Sequence, residues 1–142
     1  MKTYLLCVLL LATIISSCKK DNAAYIDPNT SASLTGALVT SSGKIVFADG
    51  GHEDGLVKIY LRKDGVYVLA LEDMNYRPVK DTDVYLSYTS AQTIHALKIF
   101  SATKLYGNIY YPLTAEINTA AVKYLIIQSD TDSSPAATAA FE

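Results

Sequence analysis

The chain has 142 residues, half of them hydrophobic, and its 12 basic and 14 acidic residues give a formal net charge of −2. This near-neutral balance, without a block of like charge, excludes the basic surface that nucleic-acid binding requires, so we predict no nucleic-acid partner. The chain has only two cysteines, Cys7 and Cys18, both in the first 18 residues.

The beginning of the chain has the layout of a secretory signal. Lys2 gives it a positive charge, and an apolar stretch interrupted only by Thr13 runs from Leu5 to Ile15. This stretch is shorter than the roughly 20 residues needed to cross a hydrocarbon core. Residues 1–17 are therefore predicted to be a signal peptide that is removed from the mature protein.

The signal ends with Ile15-Ser16-Ser17-Cys18, an aliphatic residue and two small residues before a cysteine. This arrangement resembles the lipobox of bacterial lipoproteins. The resemblance implies cleavage between Ser17 and Cys18, a diacylglyceryl group on the Cys18 thiol and acylation of the new amine. Two or three acyl chains, at about 0.8 kcal/mol per buried CH₂, would hold the domain on a lipid bilayer. An ordinary secretory signal and a short uncleaved anchor are the alternatives.

Residues 18–33 are polar and are predicted to form a flexible tether after the lipidated cysteine. Lys19, Lys20 and Asp21 resemble the charged tether of lipoproteins that some Gram-negative bacteria export to the cell surface. We expect an extracytoplasmic, lipid-anchored protein of the bacterial outer membrane, facing the periplasm or the cell surface. Because Cys7 leaves with the signal and Cys18 is acylated, the mature chain is expected to hold no free thiol and no internal disulfide.

Residues 34–142 are predicted to form one domain, because aliphatic, tyrosine and polar residues alternate there with the period of β-strands. In residues 56–62 the aliphatic side chains fall on one face, and Asp64-Gly65 forms a turn into residues 66–71, which predicts a hairpin. We predict an all-β fold, an antiparallel β-sandwich of about eight or nine short strands, with one short helical turn allowed in residues 115–124. The other predicted strands are residues 44–48, 83–88, 96–101, 108–113, 124–129 and 136–141.

Five stretches of the domain resemble the DM-thirteen family, a β-rich extracellular module often found near cytochrome-type DOMON domains. The resemblance covers residues 36–141 and implies a redox or electron-transfer accessory domain. The family has a cysteine after a tryptophan in one strand, and here Ile127 and Gln128 stand at those two positions. The stretches are GKIVFADGGHEDGLVKIY, YVLALEDMNY, DTDVYLS, LKIFSATKLYGNIYYPL and AAVKYLIIQ.

A candidate metal or ligand loop lies between Asp49 and Gly55, where Asp49, His52, Glu53 and Asp54 are close together in the sequence. Hard cations prefer carboxylate oxygens, and transition metals would use the imidazole. The loop lacks the spacing of an EF-hand. A polar turn, whose glycines supply positive φ angles, accounts for the same residues and is the interpretation that we favour.

Haem ligation is a second possibility for the histidines, since Met74 with His52 or His95 offers a pair of axial ligand types. Alternatively, Met74 packs as an adaptable apolar residue and His95 lies solvated in a loop. The sequence contains no haem attachment motif, and we expect no bound cofactor.

An enzymatic function finds little support in the sequence. No serine stands in the Gly-x-Ser-x-Gly motif of hydrolases. Carboxylate pairs for glycoside hydrolysis could be formed by Glu72 and Asp73 or by Asp81 and Asp83, but no other feature singles them out.

The tyrosines are expected to pack in the core and on half-exposed sheet faces, and their alternative role is an aromatic platform for a glycan or a protein partner. We therefore expect a non-catalytic binding or accessory module with a protein or glycan ligand. A redox accessory domain with a bound cofactor is the alternative. The tyrosines concerned are Tyr60, Tyr67, Tyr85, Tyr88, Tyr106, Tyr110 and Tyr111.

Overall fold

The computed structural model describes residues 34–50, 55–78, 80–129 and 131–142, and it confirms the predicted all-β antiparallel sandwich. Apart from a 3-10 turn at Thr119–Ala121, the regular structure of these residues consists of strands. No helix in the described ranges is long and apolar enough to cross a membrane. The strands are β1 (Leu38–Lys44), β2 (Val46–Phe47), β3 (Leu56–Leu61), β4 (Tyr67–Tyr76), β5 (Thr82–Ser87), β6 (Leu97–Ala102), β7 (Leu105–Pro112), β8 (Tyr124–Ser129) and β9 (Ala137–Ala140).

The strands form two sheets, one of four strands in the order β1-β3-β4-β7 and one of five in the order β2-β9-β8-β5-β6. Every pairing is antiparallel. The inward side chains of both sheets form a single hydrophobic core, as the period-two alternation of the sequence requires. Its fully buried members include Ile45, Val57, Ile59, Leu69, Leu71, Val84, Leu86, Leu105, Leu125 and Ile127.

One side of the sandwich is closed by the chain itself. Strand β1 belongs to the four-stranded sheet and β2 to the other sheet, and the buried Ile45 between them marks the crossing. At the same side, the backbone N–H of Glu142 donates to the Ser42 carbonyl at 2.8 Å, and the Ser42 N–H donates back at 3.2 Å. The edge of β1 is therefore covered by the segment that follows β9.

The hairpin predicted for residues 56–71 is confirmed. Across the turn, the N–H of Arg62 donates to the Val66 carbonyl and the N–H of Gly65 donates to the Arg62 carbonyl, both at 3.0 Å. Gly65 has a φ of 85°, which glycine adopts without steric cost. The Asp64 carboxylate accepts from the Val66 N–H at 3.2 Å, so the Asp-Gly pair forms the turn that its chemistry predicts.

Several strand boundaries differ from the sequence prediction, and β7 begins at Leu105 rather than at residue 108. Strand β1 begins at Leu38, whereas we predicted a strand only from residue 44. Strand β4 continues to Tyr76, past the expected end at residue 71, through a bulge between Leu71 and Met74. At the bulge Asp73 has a φ of 56°, and its N–H donates to the Asn108 side-chain oxygen at 2.9 Å.

Candidate binding cleft between strands β6 and β7

The side of the sandwich opposite the β1–β2 crossing holds a cleft. Strand β7 forms the edge of the four-stranded sheet and β6 the edge of the five-stranded sheet, and only residues 103 and 104 separate them in the chain. The cleft has a volume of about 580 Å³. It is lined by Tyr88, His95, Ala96, Leu97, Lys98, Ile99, Tyr111, Leu113, Thr114, Glu116 and Ile117.

The walls of the cleft are apolar and rigidly held. Tyr111 stacks on Phe100 with ring centroids 5.0 Å apart and an interplanar angle of 22°. The Leu113 N–H donates to the Tyr67 carbonyl at 2.8 Å, which keeps the end of β7 beside β4. Leu113 and Ile117 are both buried, whereas Leu97 on the opposite wall is 42% exposed. The cleft therefore has a packed floor and one accessible apolar side chain.

The rim of the cleft is polar. His95 lies in the loop between β5 and β6 with a φ of 65°, a conformation in which histidine is found more often than most residues. Thr114 and Glu116 follow β7, where the Ile117 N–H donates to the Thr114 carbonyl at 3.1 Å and closes a turn. Within the described part of the chain, no hydrogen bond or ion pair engages the side chains of His95 or Glu116.

The ammonium of Lys98, also at the rim, is already engaged. Its Nζ lies 2.8 Å from Oδ2 of Asp83, a carboxylate that also accepts from Ser101 Oγ at 2.7 Å and from Tyr85 OH at 3.1 Å. Burial by itself would raise the pKa of Asp83, but the hydrogen bonds from Lys98, Ser101 and Tyr85 outweigh it and hold the pKa below the usual value. The Asp83 carboxylate is thus bonded to these three side chains on the outer face of the sheet.

A second polar cluster lies on the outer face of the four-stranded sheet. Glu72 accepts a hydrogen bond from Tyr60 OH at 2.8 Å and one from Lys58 Nζ at 2.5 Å. Burial, followed by the hydrogen bond to Glu72, raises the pKa of Tyr60, and burial and the charge of Glu72 raise the pKa of Tyr110. The hydrogen bond to Glu72 raises the pKa of Lys58. Lys58 and Tyr60 on β3 thus both bond to Glu72 on the neighbouring strand β4.

The two carboxylate pairs considered from the sequence are not arranged as general acid and base. Glu72 takes part in the outer-face cluster, and Asp73 is the exposed residue of the β4 bulge. Asp83 is held by Lys98, while Asp81 is exposed in front of β5. None of the four lines the cleft.

Only part of the predicted metal or ligand loop can be placed. Asp49 is exposed and Gly50 has a φ of 60°, and the Gly50 N–H donates to the Phe47 carbonyl at 3.3 Å, which forms a turn. The other three candidate ligands, His52, Glu53 and Asp54, lie outside the described residues, as do Ser17 and Cys18. The described ranges contain no group of three or more histidine, cysteine, aspartate or glutamate residues that could hold a metal ion.

The structure separates Met74 from His95. Met74 is only 2% exposed, and a Cβ added to Gly55 would lie 2.5 Å from its sulfur, so close packing accounts for the glycine. Met74 pairs with Gly107 near the start of β7, whereas His95 lines the cleft near the end of that strand. These two side chains therefore do not face one another as axial ligands of one haem.

Gln128 lies on the outer face of β8 opposite Asp83 and is half-buried. Its Nε2 donates to the Asp132 carbonyl at 2.6 Å. The neighbouring Ile127 is fully buried in the core. This hydrogen bond holds the loop between β8 and β9 against the end of β8.

The tyrosines do not form a single platform. Tyr67, Tyr88 and Tyr111 pack partly against the core. Tyr85 lies on the outer face of the five-stranded sheet, bonded to Asp83, and Tyr60 and Tyr110 lie on that of the other sheet. Tyr106 is 56% exposed, and the Arg77 guanidinium lies 5.0 Å from the centre of its ring.

Sequence reasoning did not find the cleft. Leu113 ends the predicted strand 108–113, and Glu116 and Ile117 lie in residues 115–124, where we allowed a short helical turn. Neither pattern indicates that these residues lie together beside β6. Comparisons of the chain with protein-family models, with curated proteins and with solved structures give no match.

Proposed function

We propose that this chain is a lipid-anchored, extracytoplasmic β-sandwich that acts as a non-catalytic binding module, and that its ligand occupies the cleft between β6 and β7. One observation carries the proposal. The cleft volume of about 580 Å³ falls within the roughly 300–1,000 Å³ of small-molecule sites, and apolar walls with a few polar groups at the rim are typical of such sites.

The anchoring part of the proposal rests on the sequence Ile15-Ser16-Ser17-Cys18 and on the polar residues after it. A bilayer would be the partner of the acylated Cys18, and the tether would present the domain to the extracytoplasmic space. The resemblance to the DM-thirteen family remains a prediction. Because Gln128 stands where that family has its thiol, we favour ligand binding over electron transfer.

The binding proposal can be tested by protein-observed NMR. The full chain, in phosphatidylcholine nanodiscs, would be titrated with a library of small apolar fragments, with empty nanodiscs as the blank. We expect the fragments that bind to shift the amide signals of residues 95–99 and 111–117. Binding that leaves these signals unchanged, or no binding at all, would overturn the proposal.

A cleft-filling variant and a matched control make the test specific. Leu97→Trp places a large ring on the accessible wall and should weaken fragment binding at least several-fold. Val46→Trp changes a similarly exposed apolar residue on β2, at the far side of the sandwich, and should leave binding unchanged. Equal binding by both variants would also contradict the assignment.

A further inference from the structure

The chemistry of the cleft defines the class of molecule that fits it, an inference that rests on the proposed function. The first step is the choice between a small molecule and an extended peptide. The register between β5 and β6 shifts at Val84 and Tyr85, so β6 carries a bulge, and Lys98 lies on this edge strand. Bulges and lysines on edge strands hinder pairing with another strand.

The facing edge has a comparable obstacle. Strand β7 ends at Pro112, which lacks the N–H that an added strand would need. Where they border the cleft, the bulge with Lys98 on β6 and Pro112 at the end of β7 thus hinder strand addition. A small molecule placed between the edges avoids this obstacle, because it needs no continuous backbone ladder.

The second step concerns the body of the ligand. Leu97 and Ile99 on β6 face Tyr111, Leu113 and Ile117 across the cleft. Apart from the Tyr111 hydroxyl, the side chains of these walls offer a ligand no hydrogen-bond partner, which favours an aliphatic or aromatic body over a polyhydroxylated one.

The third step concerns the polar end. The positive charge of Lys98 is balanced by Asp83 at 2.8 Å, so among the described residues that line the cleft Glu116 carries the charge without an ion-pair partner. The rings of Tyr88 and Tyr111 lie in the same cleft, and the face of a tyrosine ring attracts a cation. An anionic head would be repelled by Glu116, whereas a cationic head would be attracted.

We propose that the cleft binds a small amphipathic amine, with its apolar body between β6 and the end of β7 and its ammonium group beside Glu116. The test uses three probes of similar size and different head group: phenethylamine, phenethyl alcohol and hydrocinnamate. Each would be titrated into the full chain in phosphatidylcholine nanodiscs, and dissociation constants would be taken from the amide shifts of residues 95–99 and 111–117.

We expect the amine to bind about two- to fivefold more tightly than the alcohol, as for a single partly exposed ion pair, and the carboxylate to bind most weakly. High ionic strength should reduce the difference. Glu116→Gln should abolish the advantage of the amine while leaving the alcohol unaffected. Asp81→Asn, which removes an exposed carboxylate that does not line the cleft, should preserve it.

The outcomes separate the two proposals. Equal affinity for amine and alcohol, or tighter binding of the carboxylate, would overturn the amine assignment while the cleft remained a binding site. An amine preference that survives Glu116→Gln would also overturn it. If none of the probes or library fragments shifts the cleft signals, both proposals fail.

Discussion

Gly43 in β1 lies directly against the backbone of Ala140 in β9, so that a Cβ on Gly43 would come within 2.1 Å of the Ala140 carbonyl oxygen. No side chain fits this space, because the obstacle is backbone and cannot move aside as a flexible side chain could. The contact joins an edge of the four-stranded sheet to the five-stranded sheet. Position 43 therefore requires glycine because the backbones of β1 and β9 leave no room for a side chain at the seam, the contact between the two sheets.

The first prediction follows from this contact. Gly43→Ala should lower the free energy of unfolding by about 1–3 kcal/mol, because the two backbones must separate. Urea unfolding of the full chain would measure the loss. Ser42→Ala changes an exposed neighbour and should alter stability by less than about 0.5 kcal/mol. Equal stabilities for Gly43→Ala and wild type would show that the seam is not tightly packed.

The second prediction concerns lipidation. Cys18→Ala should abolish membrane fractionation and leave the precursor uncleaved or released, because the acyl chains would have no attachment site. Cys7→Ala is the matched control, since it removes the other cysteine from within the apolar run, and it should fractionate like wild type. Detergent-phase partitioning measures the outcome. If Cys18→Ala partitions as wild type does, the lipoprotein prediction is wrong.

The third prediction concerns pH. Desolvation opposes ionisation of Asp83, but its hydrogen bonds from Lys98, Ser101 and Tyr85 keep its pKa in the folded state below the usual value for aspartate. The stabilisation is therefore present above the unfolded-state pKa and is lost as the pH falls through the folded-state pKa. Between pH 6 and pH 3, roughly spanning ordinary aspartate titration, wild type should lose more stability than Asp83→Asn. Asp81→Asn should follow wild type, and parallel curves for all three proteins would refute the assignment.

The fourth prediction concerns the outer-face cluster. Burial raises the pKa values of Tyr60 and Tyr110 most, and Glu72 raises both further, so Glu72→Gln should lower both and allow the two phenols to ionise at lower pH. Alkaline titration of the tyrosine ring signals by NMR would resolve them. Tyr85, which bonds to Asp83 on the other sheet, provides an internal control. A group whose pKa is raised in the folded state contributes stability that is lost as the pH rises through that pKa. The stability of wild type should therefore fall more at alkaline pH than the stability of Glu72→Gln.

The fifth prediction concerns the loop between Asp49 and Gly55. If the loop is a turn, as we favour, calcium, zinc or copper should shift the melting midpoint by no more than about 1 °C relative to chelator. A metal at a hundredfold excess over Kd would instead stabilise the folded state by about 2.7 kcal/mol, on the order of 10 °C for a domain of this size. A saturable rise that disappears in His52→Ala or Asp54→Ala would establish a site.

The strands that the sequence predicted correctly are those that carry buried apolar side chains. In β3, Val57 and Ile59 are buried, while Lys58 and Tyr60 are partly exposed, and this alternation is visible in the residues alone. Strand β1 could not be found in the same way. It contains Thr40, Ser41 and Ser42 in succession, and its residues are exposed or half-exposed. It is a strand because β3 and the segment after β9 provide its hydrogen bonds.

The bulge in β4 shows a different limit. The predicted strand ended at residue 71, before the charged pair Glu72-Asp73. The strand continues because Asn108, on the neighbouring β7, accepts a hydrogen bond from the Asp73 N–H.

The position of His95 shows a similar limit. His95 was expected in a loop, which is correct, but its place opposite residues 114–117 depends on how the two sheets pack. Local patterns contain no information on that packing.

The closure of the five-stranded sheet also has a consequence for folding kinetics. Val46 pairs with Thr138, residues near opposite ends of the described chain, whereas the β3–β4 hairpin pairs residues that are close in sequence. Contacts between distant residues require a large loss of chain entropy before they add stability. The hairpin is therefore expected to form early, and the sheet to be completed late and slowly.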